Sequence, residues 1–247
     1  MKLKFRKALM LLTICFIFYF LYSNYRINGT WVKSTKTWTE GVSIINFNFF
    51  KRSEYYPSSF GSNIKDQTSI AVGKIIFLLN KDTLNYRNAI SIKQVNKDSI
   101  ILNNYPYHES STYKKIPNYL KQKTDVDLYN KLYKLKLESK GSINIDTLFF
   151  SKKYFLDKNK LKTNDWIISK YEIINVNDFK IILFDLNSYA VLKEKNNKLF
   201  FYQLGRKKNE LRKMELKEIS PNSFNDEINR TIKDYEKESF NTHPHPQ

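Results

Sequence analysis

The stretch Trp166–Leu204 reads WIISKYEIINVNDFKIILFDLNSYAVLKEKNNKLFFYQL. It divides into four short apolar and β-branched runs: Trp166–Val176, Phe179–Phe184, Ser188–Glu194 and Leu199–Leu204. Between them stand Asn, Asp and Lys, the residues that tolerate turn conformations. Runs this short are strands rather than helices, and connections this tight pair neighbours antiparallel.

The same texture continues outward. Upstream lie Val42–Phe50, Ile70–Leu79, Ala89–Val95, Ser99–Leu102 and Ser142–Phe150, and downstream lies Glu210–Ile219. Asn80-Lys81-Asp82 and Asn96-Lys97-Asp98 punctuate the first half. Strands at roughly 8–12 residue spacing with turn signals between them predict a mainly β body over residues 28–219, an antiparallel meander forming a barrel or a sandwich. Ile90–Leu102, ISIKQVNKDSIIL, aligns without gaps on Tyr171–Leu183, YEIINVNDFKIIL. Two independent hairpins of one meander give this match, and so does a duplicated half-barrel. A single pair is too little for a repeat array.

Asn103–Thr124 differs, with two prolines among mostly polar residues, and is expected to be a loop insertion. Thr124 is placed to cap a short helix from Asp125, with Leu128/Leu132 and Tyr129/Tyr133 at helical spacing. At the other end of the body, Ser220-Pro221 starts a helix expected over 221–240. Phe224, Ile228, Ile232 and Tyr235 fall on one face of it, so it is amphipathic and packs on the β body. Residues 241–247 are expected to be a disordered tail.

At the N-terminus, Lys2, Lys4, Arg6 and Lys7 precede an uncharged run from Ala8 to Tyr25. As a helix this run spans about 27 Å, close to the thickness of a hydrocarbon core. Residues 1–7 then form a cytoplasmic basic flank, and 8–25 a transmembrane anchor with the rest of the chain extracytoplasmic. A signal peptide is the rival reading, which would leave the body secreted or periplasmic. The segment lacks a small-x-small cleavage site, because Leu21 stands where a small residue is needed in Leu21-Tyr22-Ser23.

The chain has 247 residues, 41% hydrophobic and 15% aromatic, which is enough for a packed core. Its net charge of +18 comes from lysines spread along the chain. That is a solvated basic surface, with anionic lipid or polysaccharide as the alternative partner; no nucleic-acid stripe is formed. Cys15, the single cysteine, lies in the apolar segment, so the body forms no internal disulfide.

The search for chemistry gives little. His108, His243 and His245 have no metal-site spacing. Six glycines leave no phosphate-cradling loop. Ser62-Asn63-Ile64-Lys65 and Ser111-Thr112-Tyr113-Lys114 match Ser-x-x-Lys without the other elements that chemistry needs. Asp125 and Asp127, two apart, point to a helix-dipole role rather than to acid–base work. Asn28-Gly29-Thr30 and Asn229-Arg230-Thr231 are incidental glycosylation sequons. No catalytic residue, metal or cofactor is assigned.

Asn28-Gly29-Thr30-Trp31-Val32 resembles the opening of bacterial lipocalin-like domains, whose first strand begins Gly-x-Trp. The resemblance implies an eight-stranded barrel, with Gly29 turning the chain into it and Trp31 plugging one end under a basic side chain from the last strand. It also implies a C-terminal helix outside the barrel. Arg212 in Glu210–Ile219 shares parity with Met214 and Leu216, so it is the candidate to lie over Trp31, a cation–π contact. The body is longer than one such barrel needs, so an interrupted barrel and two stacked β units both remain open. Three functions follow: a membrane-anchored carrier of a small apolar ligand, a non-enzymatic envelope protein that contacts another envelope component, and an envelope hydrolase with dispersed carboxylates.

Overall fold

Two pairs of asparagine-rich residues set the pattern of the chain. Asn177-Asp178 and Asn196-Asn197 all have φ between 49° and 65°. This left-handed region is one that Asn and Asp enter more readily than other side chains, and two such residues in succession match the right-handed twist of a hairpin. They close Val176 against Phe179 and Lys195 against Lys198.

The computed structural model describes residues 2–34, 42–58, 61–79, 89–104, 109–122, 124–139, 142–159, 165–184, 188–204, 211–220 and 224–242. After a helix α1 (Lys2–Ile27), eight strands follow: β1 (Gly29–Lys33), β2 (Ile44–Asn48), β3 (Lys51–Ser58), β4 (Gly61–Val72), β5 (Ile75–Leu79), β6 (Ala89–Val95), β7 (Ser99–Asn104) and β8 (Glu109–Lys115). Each pairs antiparallel with the next, and β8 returns to β1 through Trp31 opposite Lys115. A second ring contains β9 (Lys131–Ser139), β10 (Ser142–Phe150), β11 (Tyr154–Asn159), β12 (Trp166–Val176), β13 (Phe179–Phe184), β14 (Ser188–Lys195), β15 (Lys198–Leu204) and β16 (Leu211–Ile219), closed by β16 on β9. The chain thus forms two closed barrels rather than one barrel with an insertion. Closure removes every sheet edge, which an open meander would leave unpaired.

In the first barrel the inward faces carry Trp31, Ile45, Phe47, Ala71, Ile76, Leu78, Ile90, Ile92, Ile100 and Leu102. In the second, rings meet across the interior. Phe150 on β10 lies 5.1 Å from Phe155, 5.4 Å from Tyr171 and 6.2 Å from Phe201 on β15. Outside the second barrel runs α2 (Asn225–Thr242), which covers Leu132, Phe149, Leu156 and Trp166 with Phe224, Ile228 and Ile232. Tyr235 reaches Tyr154 at 5.4 Å. The expected helical face is therefore the one that packs. Lys158 fastens it, with Nζ 2.6 Å from Glu227 and 5.5 Å from the Trp166 ring.

Several expectations are corrected. The polar stretch 103–124 is not a loop insertion, because β7 runs to Asn104 and β8 occupies Glu109–Lys115. Tyr113 and Lys115 face inward there while Thr112 and Lys114 face out, so a strand of mainly polar composition closes the barrel. No helix follows Thr124. Asp127 instead accepts a hydrogen bond from the Tyr129 amide, and the chain enters β9 with alternating burial. Asp125 therefore meets no helix dipole and pairs with Lys180. α2 begins at Asn225, not 221, and ends at Thr242, so Asn241 and Thr242 are helical. Pro221 and residues 243–247 lie outside the described residues. The Ile90–Leu102 and Tyr171–Leu183 match joins the sixth and seventh strands of one barrel to the fourth and fifth of the other, so it does not mark equivalent hairpins of a duplication.

α1 is longer than the expected 8–25 segment, and Phe5–Ile27 is long and apolar enough to cross a membrane.

Phe150→Ala should cost the second barrel about 3–5 kcal/mol, since a buried ring touching four others is removed. Denaturant unfolding, compared with the exposed-site control Tyr129→Ala, measures this.

Candidate site in the first barrel

β1 enters its barrel through a glycine with φ +134°, a backbone state that L side chains rarely adopt. A Cβ at Gly29 would also stand 2.6 Å from Cε of Lys115. The bare glycine leaves the lysine room to cross toward the barrel axis. Lys115 Nζ lies 5.1 Å from the centre of the Trp31 ring, whose Nε1 donates to the Ile27 carbonyl at 2.8 Å. Trp31 is fully buried. Burial lowers the pKa of Lys115, and the charge of Asp98 opposes that shift.

This corrects one expected site residue. Gly29 and Trp31 stand together at one end of the barrel, and the cation over the indole is Lys115. Arg212 lies exposed on β16 of the second barrel, although its parity with Met214 and Leu216 holds. The reason is topological: the barrel that contains Trp31 closes at β8, so its last strand is not the last strand of the chain.

Farther along the lumen, polar side chains converge. Arg52 on β3 faces Gln67 on β4, the residue directly opposite, and Nη1 donates to Gln67 Oε1 at 3.0 Å. Nη2 donates to Glu54 Oε2 at 2.7 Å. Ser43 Oγ donates to the other Glu54 oxygen at 3.1 Å. Arg52, Gln67 and Ser69 are all buried. The ion pair neutralises the charge, as a barrel interior requires. Among the described residues, Arg52 Nε and Ser69 Oγ in this lumen have no protein partner, and both belong to inward-facing side chains. A buried donor left unmade costs about 1–3 kcal/mol, so a water or ligand acceptor at either atom is favoured.

Tyr113 completes the cluster from β8. Burial is the main cause that pushes its phenol up to about 12, and the Glu54 carboxylate adds to it; hydrogen bonding with Ser43 and the charge of Arg52 act the other way. This part of the lumen can donate hydrogen bonds to a neutral or anionic acceptor, beside the apolar wall of Phe47, Ile76 and Leu102.

The remaining candidates do not assemble. Ser111 and Lys114 are three apart on a strand, so they point to opposite faces. His108, His243 and His245 lie outside the described residues. Among the described residues no cluster of three His, Cys, Asp or Glu could hold a metal ion. In the second barrel Asp146 faces the interior, and burial raises its carboxyl pKa. Sequence reading missed the Arg52 cluster, since β3 and β4 read as polar chain. The alternation of Arg52 and Glu54 with Ser53 and Tyr55 was the available signal.

The Tyr113 phenol predicts an alkaline transition. Its folded pKa lies above the ordinary value near 10, so its contribution is whole below about pH 10 and is lost as pH rises toward about 12. Tyr113→Phe should flatten thermal stability over that window relative to the parent chain, with no change near neutrality beyond the loss of one hydrogen bond.

No known protein family, curated protein or solved structure matches the chain.

Proposed function

We propose that this is a membrane-anchored, extracytoplasmic, lipocalin-like protein whose first barrel carries a small, mainly apolar molecule with one hydrogen-bond acceptor. The carrying observation is the pair of unpartnered donors, Arg52 Nε and Ser69 Oγ, where a polar cluster around Arg52 and Glu54 adjoins the apolar wall of Phe47, Ile76 and Leu102. An eight-stranded barrel is the size that holds one small ligand. Gly29, Trp31 and a basic residue of the closing strand support the lipocalin-like reading. The basic cluster Lys2, Lys4, Arg6 and Lys7 ahead of α1 supports the orientation. No catalytic role is assigned to either barrel.

A second reading, a non-enzymatic envelope contact protein, is favoured by the second barrel. There Tyr133, Phe150, Tyr171 and Phe201 meet ring to ring across the interior, which suits a rigid body better than a carrier.

Native mass spectrometry of the full chain, released from detergent, tests the choice. The carrier reading expects a reproducible mass excess that denaturation removes and that Arg52→Met diminishes. A bare mass, repeated after incubation with a lipid extract, would remove carriage and leave the contact reading.

A further inference from the structure

The helix α1 does not end before the first barrel begins. Asn24 is buried where α1 meets the barrel, its Oδ1 accepting from the Ala71 amide and its Nδ2 donating to the Ala71 carbonyl, both at 2.9 Å. Ser23 Oγ accepts from the Gly73 amide at 3.2 Å, and Arg26 donates to the Gly73 carbonyl. A Cβ at Gly73 would sit 2.5 Å from the Tyr19 hydroxyl, so the β4–β5 turn lies against the helix well before its end. On another side, the Phe20 ring stacks on Phe50 of the β2–β3 turn at 5.9 Å.

From Ala8, the first residue past the basic cluster, to Phe20 the helix rises about 18 Å. A hydrocarbon core is roughly 30 Å thick, so the helix clear of the barrel is too short to fill it. The turns at this end of the barrel are suited to complete the span. Phe49, Phe50 and Ile75 are 41%, 42% and 42% exposed there. Lys74 and Lys97, in two of the three turns at that end, are exposed as well, while Lys51 beside the third pairs with Asp66 at 2.9 Å.

Phe49 carries the strongest mark. Its φ is +46°, and every other non-glycine residue with positive φ among those described is Asn or Asp. A bulky aromatic ring there is a conformational outlier, and it is 41% exposed beside its neighbour in the turn, Phe50, at 6.2 Å. An exposed ring kept at such a position points to something outside the protein that it contacts.

We propose that the helix-proximal end of the first barrel is a lipid-contacting surface. Phe49, Phe50 and Ile75 enter the acyl–headgroup boundary of the bilayer that α1 spans, and Lys74 and Lys97 face lipid phosphates. This rests on the reading that α1 crosses a membrane.

The test uses the full chain with Cys15→Ser in vesicles of equal phosphatidylcholine and phosphatidylglycerol. An environment-sensitive dye is attached at Phe49→Cys, or at Ile64→Cys, eight positions back along β4 from Val72. Doxyl lipid labelled near the headgroup should quench the dye at position 49 several-fold more than at position 64. Equal, weak quenching at both positions in chain that resists carbonate extraction would overturn the proposal while leaving the anchor intact. Release by carbonate would overturn the anchor and the proposal together. Phe49→Asn, which suits the turn, provides a second arm: the barrel stays folded, and a dye at Ile75→Cys loses part of its quenching. Unchanged quenching there would count against insertion of the turn.

Discussion

The indole of Trp31 ties three parts of the molecule together. Its nitrogen bonds the last carbonyl of α1, its ring fills the end of the first barrel, and its face lies under a lysine from the strand that closes that barrel. The polar handle is satisfied internally, as a buried indole requires. The three contacts share one neighbourhood: Gly29 leaves the lysine room to cross, and Ile27 belongs to the same core cluster as Trp31. The helix α1 is therefore part of the barrel's packing rather than a tether attached to it. Asn24 extends the same principle, pairing both its amide atoms with the backbone of β4.

The two barrels answer the problem of filling a closed sheet in different ways. The second uses rings, with Phe150 among four aromatic neighbours, and places its amphipathic helix outside. The first mixes aliphatic side chains with a buried Arg–Glu pair. Burying that pair is costly unless each atom finds a partner, and two atoms near it do not find one in the protein. Such an arrangement is poor economy for stability alone, and the ligand reading rests on it.

Much of this architecture was legible in the sequence, and the gaps have physical causes. β12 to β15 are apolar runs between Asn-rich turns, so their strands and connections were plain. The face of α2 was equally clear, because Phe224, Ile228, Ile232 and Tyr235 recur at helical spacing. β3, β8, β9 and β11 were hidden, since a barrel strand needs apolar residues on one face only and these carry polar side chains on the other. Missing β8 turned a closing strand into an apparent loop, which left one barrel seeming too long rather than two seeming complete. The same gap misplaces the cation: without β8, the last strand legible in the sequence is the one at the end of the chain, which carries Arg212 rather than Lys115. The Arg52 cluster depends on pairing between β2, β3, β4 and β8, which no single segment encodes.

The claim that α1 and the first barrel are one body is tested most directly by a spin-label distance between them. Cys15, the chain's only cysteine, is exposed on α1, and Ser91→Cys places a second label on the outer, exposed face of β6. In lipid nanodiscs the account predicts a single narrow distance distribution that broadens when Asn24→Ala and Trp31→Phe are combined. A broad distribution in the parent chain would contradict it, because a helix that swings freely cannot be part of the barrel's core.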